Sequence, residues 1–455
     1  MTQIPKSDRS AVGDGAAAAG ERARRTVDRS LCGIHLRLPV LALALLLLLG
    51  CQPAGPGPAA TPPPGATAET SGTATAGPGS PGTASPGTAS PGNGGTNPTS
   101  EAPSSPATTG SSTSCADRLS EADRIGQLMM VGVSSSQVNE SQLQVLRETR
   151  AGAVILMGNT SNSVARTKQL TDRLRGGAHQ APGTTLFVAT DHEGGVVQRL
   201  QGPGFDDIPS AEEQATWSDA ELEQAATRWG EQLLEAGVNS PLGPVADVVP
   251  ASIGRRNEPI SANRRGYGSD SDVVSAKVSA VVSGYGEAGA VSSVKHFPGL
   301  GRVIGNTDHR TEVVDDTTTR NDPLLSPFRA AVDAKADMVM VATAVYRKID
   351  AEQPAAFSPT VVDGMIRDDM GFTGVVISDD LGVAKQVAHV DAGQRAVLFI
   401  RAGGDLVINV DPSTADDMVD AIAAEAKSDP EFARRVDESA ERVLRMKERR
   451  GLASC

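Results

Sequence analysis

From Leu119 to Leu452 the chain alternates short apolar runs with longer stretches in which apolar residues recur every three or four positions. The runs are Leu128 to Val133, Ala153 to Met157, Thr185 to Thr190, Val238 to Pro241, Val291 to His296, Met338 to Ala342, Gly374 to Ser378 and Asp405 to Val410. Several are almost continuously apolar, which suits strands buried on both faces. Ser161 to Arg175, Asp219 to Ala236 and Asp270 to Ala288 separate them with helical spacing. Strand and helix taking turns is the rhythm of a parallel sheet, and eight such units predict a single (β/α)8 TIM-like barrel. A closing stretch, Arg434 to Arg449, sets Val436, Ala440, Val443 and Leu444 on one face of a charged helix and is expected to cover the barrel.

The first 114 residues follow another pattern. Arg24, Arg25, Arg29 and Arg37 precede an apolar run from Pro39 to Leu49, closed by Gly50-Cys51. That is the layout of a secretory signal, and the run is too short to span a bilayer comfortably. Leu48-Leu49-Gly50-Cys51 resembles a bacterial lipobox, which implies a signal segment over 1–51 and a lipid on Cys51 that holds the protein to the cell membrane on its outer side. From 52 to 114 the composition turns to Pro, Gly, Ser, Thr and Ala, with a tandem SPGTA at Ser80 to Ala89. Such a stretch buries too little apolar surface to fold and is expected to be a disordered tether.

The catalytic part is then 115–455, with Cys115 and Cys455 at its two ends. In an exported barrel, whose termini lie close together, these two are expected to form a disulfide. No CxxC or Cys/His cluster is present, so no metal site is expected. A net charge of −13 argues against nucleic acid as a partner.

Polar residues gather where such a barrel keeps its chemistry, at the C-terminal ends of the strands. Asp191-His192-Glu193-Gly194-Gly195 follows the third run, with Arg199 beyond it. Asp247 follows the fourth, Lys295-His296-Phe297-Pro298-Gly299 the fifth, and Asp379-Asp380 the seventh. Carboxylates and bases with glycines between them suit a pocket that hydrogen-bonds several hydroxyls at once, as a sugar requires. Aromatic residues make up only 3% of the chain, Trp217, Trp229 and Tyr267 among them. That favours a small pocket for one terminal sugar over a long stacking cleft.

DHEGGVVQRL, KHFPGLGR and GVVISDDLG, in that order, with IGQLMMVGV at Ile125 and RVDESAERVLRMKERRGL at Arg435, resemble the signature blocks of glycoside hydrolase family 3, in its single-domain β-N-acetylglucosaminidase branch. The resemblance implies that Asp379 is the nucleophile of a retaining hydrolysis without cofactor. It implies that Asp191, Arg199, Arg265, Lys295 and His296 bind the terminal sugar, with Asp247 ordering the pocket and Asp380 structural. Terminal N-acetylglucosamine of peptidoglycan fragments is the implied substrate.

The chain departs from the branch at the general acid/base. An Asp-x-His dyad is usual on the loop after KHFPG, and those positions fall here on Asn306 and Asp308, with His309 one residue late. The Asp308-His309 pair is expected to carry the proton, with the choice between them open. A β-glucosidase or a glycosyl phosphorylase of the same family, a glycan-binding lipoprotein without turnover, and a metal-dependent hydrolase are the competing readings.

Overall fold

In the computed structural model, the structure describes residues 114–454. The signal, Cys51 and tether assignments, and Cys455, lie outside them. Seven strands form one parallel sheet: β1 Met129–Ser134, β2 Ala153–Met157, β3 Phe187–Thr190, β4 Ser293–Phe297, β5 Met338–Val341, β6 Val375–Asp380 and β7 Leu406–Asn409. Their spatial order is β3-β2-β1-β7-β6-β5-β4. Sequence neighbours are therefore spatial neighbours, β7 returns beside β1, and only the place between β3 and β4 lacks a regular strand.

The run at Val238 to Pro241 occupies that place without becoming a strand, which corrects the expected eight. Ser240 makes a single parallel bridge to Ala189, and Val245 makes one to Lys295. Pro241 and Pro244 have no N–H to give a ladder, and Leu242 between them sits at φ 46°, outside the extended region. The sheet thus curls into a barrel with seven regular staves and one irregular one.

Alternation along each strand sorts the side chains into two layers. Met130, Ala153, Ile155, Phe187, Ala189, Met338, Met340, Val375, Ile377, Leu406 and Ile408 pack together inside the barrel. Their neighbours Met129, Val131, Val154, Leu156, Val188, Val339, Val376 and Val407 pack outward in the larger cluster shared with the helices. Both faces are buried, so both are apolar.

Several helices begin where side-chain caps satisfy the free N–H groups of the first turn. Asn139 and Ser218 form complete capping boxes with Gln142 and Glu221, and Asp270 caps Ser271–Ala288. The last helix runs Pro430–Arg449 and buries Val436, Ala440, Val443 and Leu444 as expected. Val443 and Met446 reach the inner layer and close the floor of the barrel. Cys115 is disulfide-bonded.

Candidate active site

The same alternation aims the chemistry. Val375 and Ile377 point inward on β6, so the next residue of that parity, Asp379, also points into the barrel, at the strand's C-terminal end. Phe187 and Ala189 give Asp191 the same direction after β3. On β4 the register against β5 shifts between Val294 and Phe297, and both Lys295 and His296 reach one cavity of about 580 Å³. Its floor is the top of the inner layer, Ile155, Met340 and Ile408 with Leu242.

Every residue predicted for catalysis or sugar binding lines this cavity: Asp191, Arg199, Arg265, Lys295, His296, Asp308, His309 and Asp379. A larger cavity of about 920 Å³, lined by Trp217 and Trp229, contains none of them. No Phe, Tyr or Trp lines the catalytic cavity among the described residues. The scarce aromatic residues serve packing: Phe297 is buried and meets Phe328 edge-on at 5.2 Å.

The deep end is a network of charges. Lys295 Nζ lies 2.8 Å from Asp191 Oδ1 and 2.6 Å from Glu193 Oε1. Arg265 donates through Nε and an Nη to the two oxygens of Glu193, at 2.8 and 2.7 Å. Arg199 stands 3.7 Å from Asp191 Oδ2 and donates to Asn159 Oδ1 at 3.0 Å. Burial pushes both carboxyls up, but the adjacent cations outweigh it and hold Asp191 and Glu193 below their ordinary values, Glu193 far below. Burial likewise opposes the charge of Lys295, and Asp191 and Glu193 outweigh it, so the ammonium is kept.

Glu193, inside the DHEGG block and given no role by the sequence, is the hub of this network. The signal was available: two buried cations need more than one carboxylate, and Asp191 alone does not suffice. Glu193 sits in a hairpin of His192–Gly194 against Val197–Gln198. Its turn needs Gly194 at φ 100°, where a Cβ would come within 2.3 Å of the Pro209 carbonyl oxygen. His192 faces the other way, fully buried with neither ring nitrogen partnered and its edge on Phe205, and burial lowers its pKa to about 4.

His296 is oriented from behind. Its Nδ1 is 2.7 Å from Asp247 Oδ2, and Asp247 Oδ1 accepts from the Leu300 amide at 2.7 Å. Asp247 is buried and orders the pocket without lining it.

Asp379 and Asp380 separate into two roles. Asp380 is caged by backbone amides: Gly382 and Val410 donate to Oδ1 at 2.9 and 3.0 Å, Val383 and Ala384 to Oδ2 at 2.8 and 3.1 Å. It shapes the turn. Among the described residues Asp379 accepts only the Asp380 amide, at 2.8 Å. Burial raises its pKa to about 6, the charge of Asp308 adds to the rise, and His296 opposes it.

A model of the glycosyl hydrolase family 3 N-terminal domain matches residues 121–446. The chain belongs to glycosyl hydrolase family 3. It is a glycoside hydrolase of the branch of the β-hexosaminidases it matches. Among its relatives is a β-hexosaminidase of Bordetella avium, 33% identical over 309 residues, which are 65% of this chain and 84% of that protein. A crystal structure of a β-N-acetylhexosaminidase from Beutenbergia cavernae is 42% identical, with a TM-score of 0.71, covering 72% of this chain and 99% of that one. A family 3 β-N-acetylglucosaminidase structure from a Paenibacillus is 27% identical with a TM-score of 0.66, covering 74% of this chain and 64% of that one.

The loop after KHFPG is a tied turn. Asn306, at the place of the dyad's Asp, accepts the Asp308 amide on its side-chain oxygen at 2.9 Å. Its backbone oxygen accepts from His309 and Arg310. Arg310 grips both oxygens of Glu258 at 2.6 and 3.1 Å, and Gln386 donates its amide to the Thr307 oxygen and accepts from Val313. Asp308 and His309 are exposed at the cavity mouth and share no side-chain hydrogen bond. The charge of Asp308 acts on Asp379, and that of His309 on Glu258.

Proposed function

We propose that the enzyme removes terminal β-linked N-acetylglucosamine by a retaining, two-step hydrolysis, and that Asp379 is its nucleophile. The observation that carries the reading is one cavity holding an inward carboxylate with a single hydrogen bond, from the Asp380 amide, a second carboxylate at the mouth whose charge reaches it, and a ring of fixed donors and acceptors at the deep end. Asp379 would attack the anomeric carbon as the glycosidic C–O bond breaks, and the departing oxygen takes a proton from the mouth. Water, deprotonated by the same group, then cleaves the glycosyl ester and frees Asp379.

Asp308 is the acid/base in this reading. It is the loop residue whose charge is felt at Asp379, and it lines the cavity mouth. His309 sits beside Glu258 and serves the loop. Asp191, Arg199, Arg265, Lys295 and His296 bind the sugar's hydroxyls and acetamido group. The preference for N-acetylglucosamine is supported by the names of the relatives, and peptidoglycan fragments are the substrates that an exported member would meet.

Hydrolysis of a chromogenic β-N-acetylglucosaminide and the matching glucoside, with and without phosphate, tests the reading. Asp379→Ala is expected to abolish turnover, and Asp308→Ala to cost more than His309→Ala on a substrate with a poor leaving group. Preference for the glucoside, or a requirement for phosphate, would replace the hexosaminidase reading with one of its family rivals.

The domain reading is a barrel over 115–455 on a tether, anchored by lipid on Cys51, with Cys455 bonded to Cys115. A disulfide at Cys115 suits an oxidising compartment. Cys51→Ala is expected to move the protein from the membrane fraction to the soluble one; an unchanged distribution would remove the anchor.

A further inference from the structure

We infer that the cavity behind the hairpin over 192–198 is a second carbohydrate site, one that takes a neutral oligosaccharide and holds glycan beside the catalytic cavity. The choice of N-acetylglucosamine oligomers as its ligand rests on the function proposed above; the site itself does not. Its volume of about 920 Å³ lies within the range of roughly 300–1,000 Å³ usual for ligand pockets. None of the residues predicted for catalysis or sugar binding lines it, and of its lining only Asn263 is shared with the catalytic cavity.

The chain has two tryptophans, and both line this cavity. Trp217 is half-buried, Trp229 is buried, and their rings stand 6.3 Å apart. A tryptophan placed only for packing usually finds an acceptor for its N–H when it is buried. Here neither indole N–H has an acceptor among the described residues. Carboxylates supply the opposite capacity. Asp206 is engaged by Gln232 at 2.8 Å, with Arg228 3.9 Å away, but the side chains of Asp207 and Glu213 have no partner among the described residues. An aromatic surface, free donors and free carboxylate acceptors around one hollow are what a pyranose ring and its hydroxyls can satisfy together.

Charge narrows the class. Arg228 and Arg264 stand in the same lining as Asp206, Asp207 and Glu213. A cationic ligand would meet the guanidiniums and an anionic one the carboxylates, whereas a hydroxyl both donates and accepts and suits either. The wall is also fixed before any ligand arrives. Gln198 donates to the Asp206 oxygen at 2.7 Å and accepts the Ile208 amide at 3.0 Å, and the Gly195 amide donates to the Ile208 oxygen at 2.8 Å. Gln214 donates to the Pro209 and Glu193 oxygens at 2.7 and 3.0 Å. The hairpin therefore presents Glu193 to the catalytic network on one side and a preformed wall to this cavity on the other, and a preformed wall loses little freedom on binding.

The test follows tryptophan emission as N,N′,N″-triacetylchitotriose is added to the full chain carrying Asp379→Ala, chosen to block turnover. Both indoles belong to this cavity and no Phe, Tyr or Trp lines the catalytic one among the described residues, so a saturable change in emission is expected from binding here. Adding Asp207→Ala and Glu213→Ala keeps both indoles and should weaken the binding about tenfold or more. Trp217→Phe, which preserves an aromatic ring for packing, should reduce the signal. In the chain that retains Asp379, the Asp207→Ala, Glu213→Ala pair should leave kcat/KM on a chromogenic β-N-acetylglucosaminide unchanged. The trisaccharides of glucosamine and of galacturonic acid, one cationic and one anionic, should bind more weakly than the neutral one. A change in emission that survives the double substitution and disappears with Asp191→Ala would put the sugar in the catalytic cavity and overturn the site, as would no change at all or tighter binding of either charged trisaccharide. Failure of the chain that retains Asp379 to hydrolyse the chromogenic substrate would strike the function proposed above, and the emission titration would still decide this site.

Discussion

Asp379 shows how a single carboxylate is tuned by what surrounds it. Burial takes its pKa to about 6, and the charge of Asp308 contributes to that rise. The nucleophile must be ionised to attack, so kcat/KM is expected to fall as the pH drops below about 6. Asp308→Asn removes the neighbouring charge and should move that acid limb to lower pH, measured on an activated aryl substrate that needs little protonation of its leaving group. An unmoved limb would mean that Asp308 does not face Asp379. Glu193 gives a second expectation at this scale. Glu193→Gln keeps the shape and removes the charge that Lys295 and Arg265 share. It should raise KM by about tenfold or more through two poorly compensated buried cations, with a fold that circular dichroism finds intact. Both residues lie in motifs readable from sequence, but only Asp379 is marked by its position, as the first acidic residue at the end of an apolar run. Glu193 looked like one acid among several until its two cations were seen to meet on it.

At the scale of the element, the turn from Leu300 to Val313 is held by contacts from elsewhere. Asn257 donates to the Leu300 and Val303 oxygens at 2.7 and 2.8 Å, Arg310 grips Glu258, and buried Gln386 accepts from Val313. Gln386→Leu leaves a buried amide without an acceptor, a loss of about 1–3 kcal/mol of stability. Arg310→Ala removes an exposed pair and should leave stability nearly unchanged, yet both are expected to lower kcat severalfold by loosening Asp308. Thermal denaturation alongside steady-state kinetics separates the two, because only Gln386→Leu should lower the melting temperature by several degrees. The reading of this loop from family spacing placed Asn306 and Asp308 at the dyad positions and left the proton between Asp308 and His309. Spacing carried no further, since Asn306 spends its side chain on the turn. Elements whose shape comes from periodic burial were legible, as with Pro430–Arg449, which ends where expected and starts four residues ahead of the expected Arg434. The fourth stave was not, because a place in the strand–helix rhythm does not show whether a segment can complete a ladder, and Pro241 and Pro244 have no N–H to give one.

On the scale of the whole molecule, the C-terminal helix closes the barrel and puts one lysine where no carboxylate reaches it. Lys447 is buried, donates to Gln127 Oε1 and the Gly152 oxygen at 2.7 Å each, and is pushed down to about 7 by burial. The unfolded chain binds that proton up to its ordinary value near 10.5, so stability is expected to rise with pH between about 7 and 10.5, by up to about 1.4 kcal/mol per unit. Lys447→Met should flatten that slope in denaturant titrations across the window; an unchanged slope would place the pH dependence elsewhere. By itself the sequence determined the alternation of strand and helix and the gathering of polar residues such as Asp191 and Asp379 at strand ends, which follow from periodicity, while the family and the list of sugar-binding candidates came from the resemblance of its motif blocks. Only the tertiary structure decided which charges meet, that the fourth stave is irregular, and that Asp380 is spent on backbone amides. Partners distant in sequence, such as Glu193 with Arg265 and Gln386 with Thr307, come together by barrel closure, and no local pattern encodes a distance between two loops.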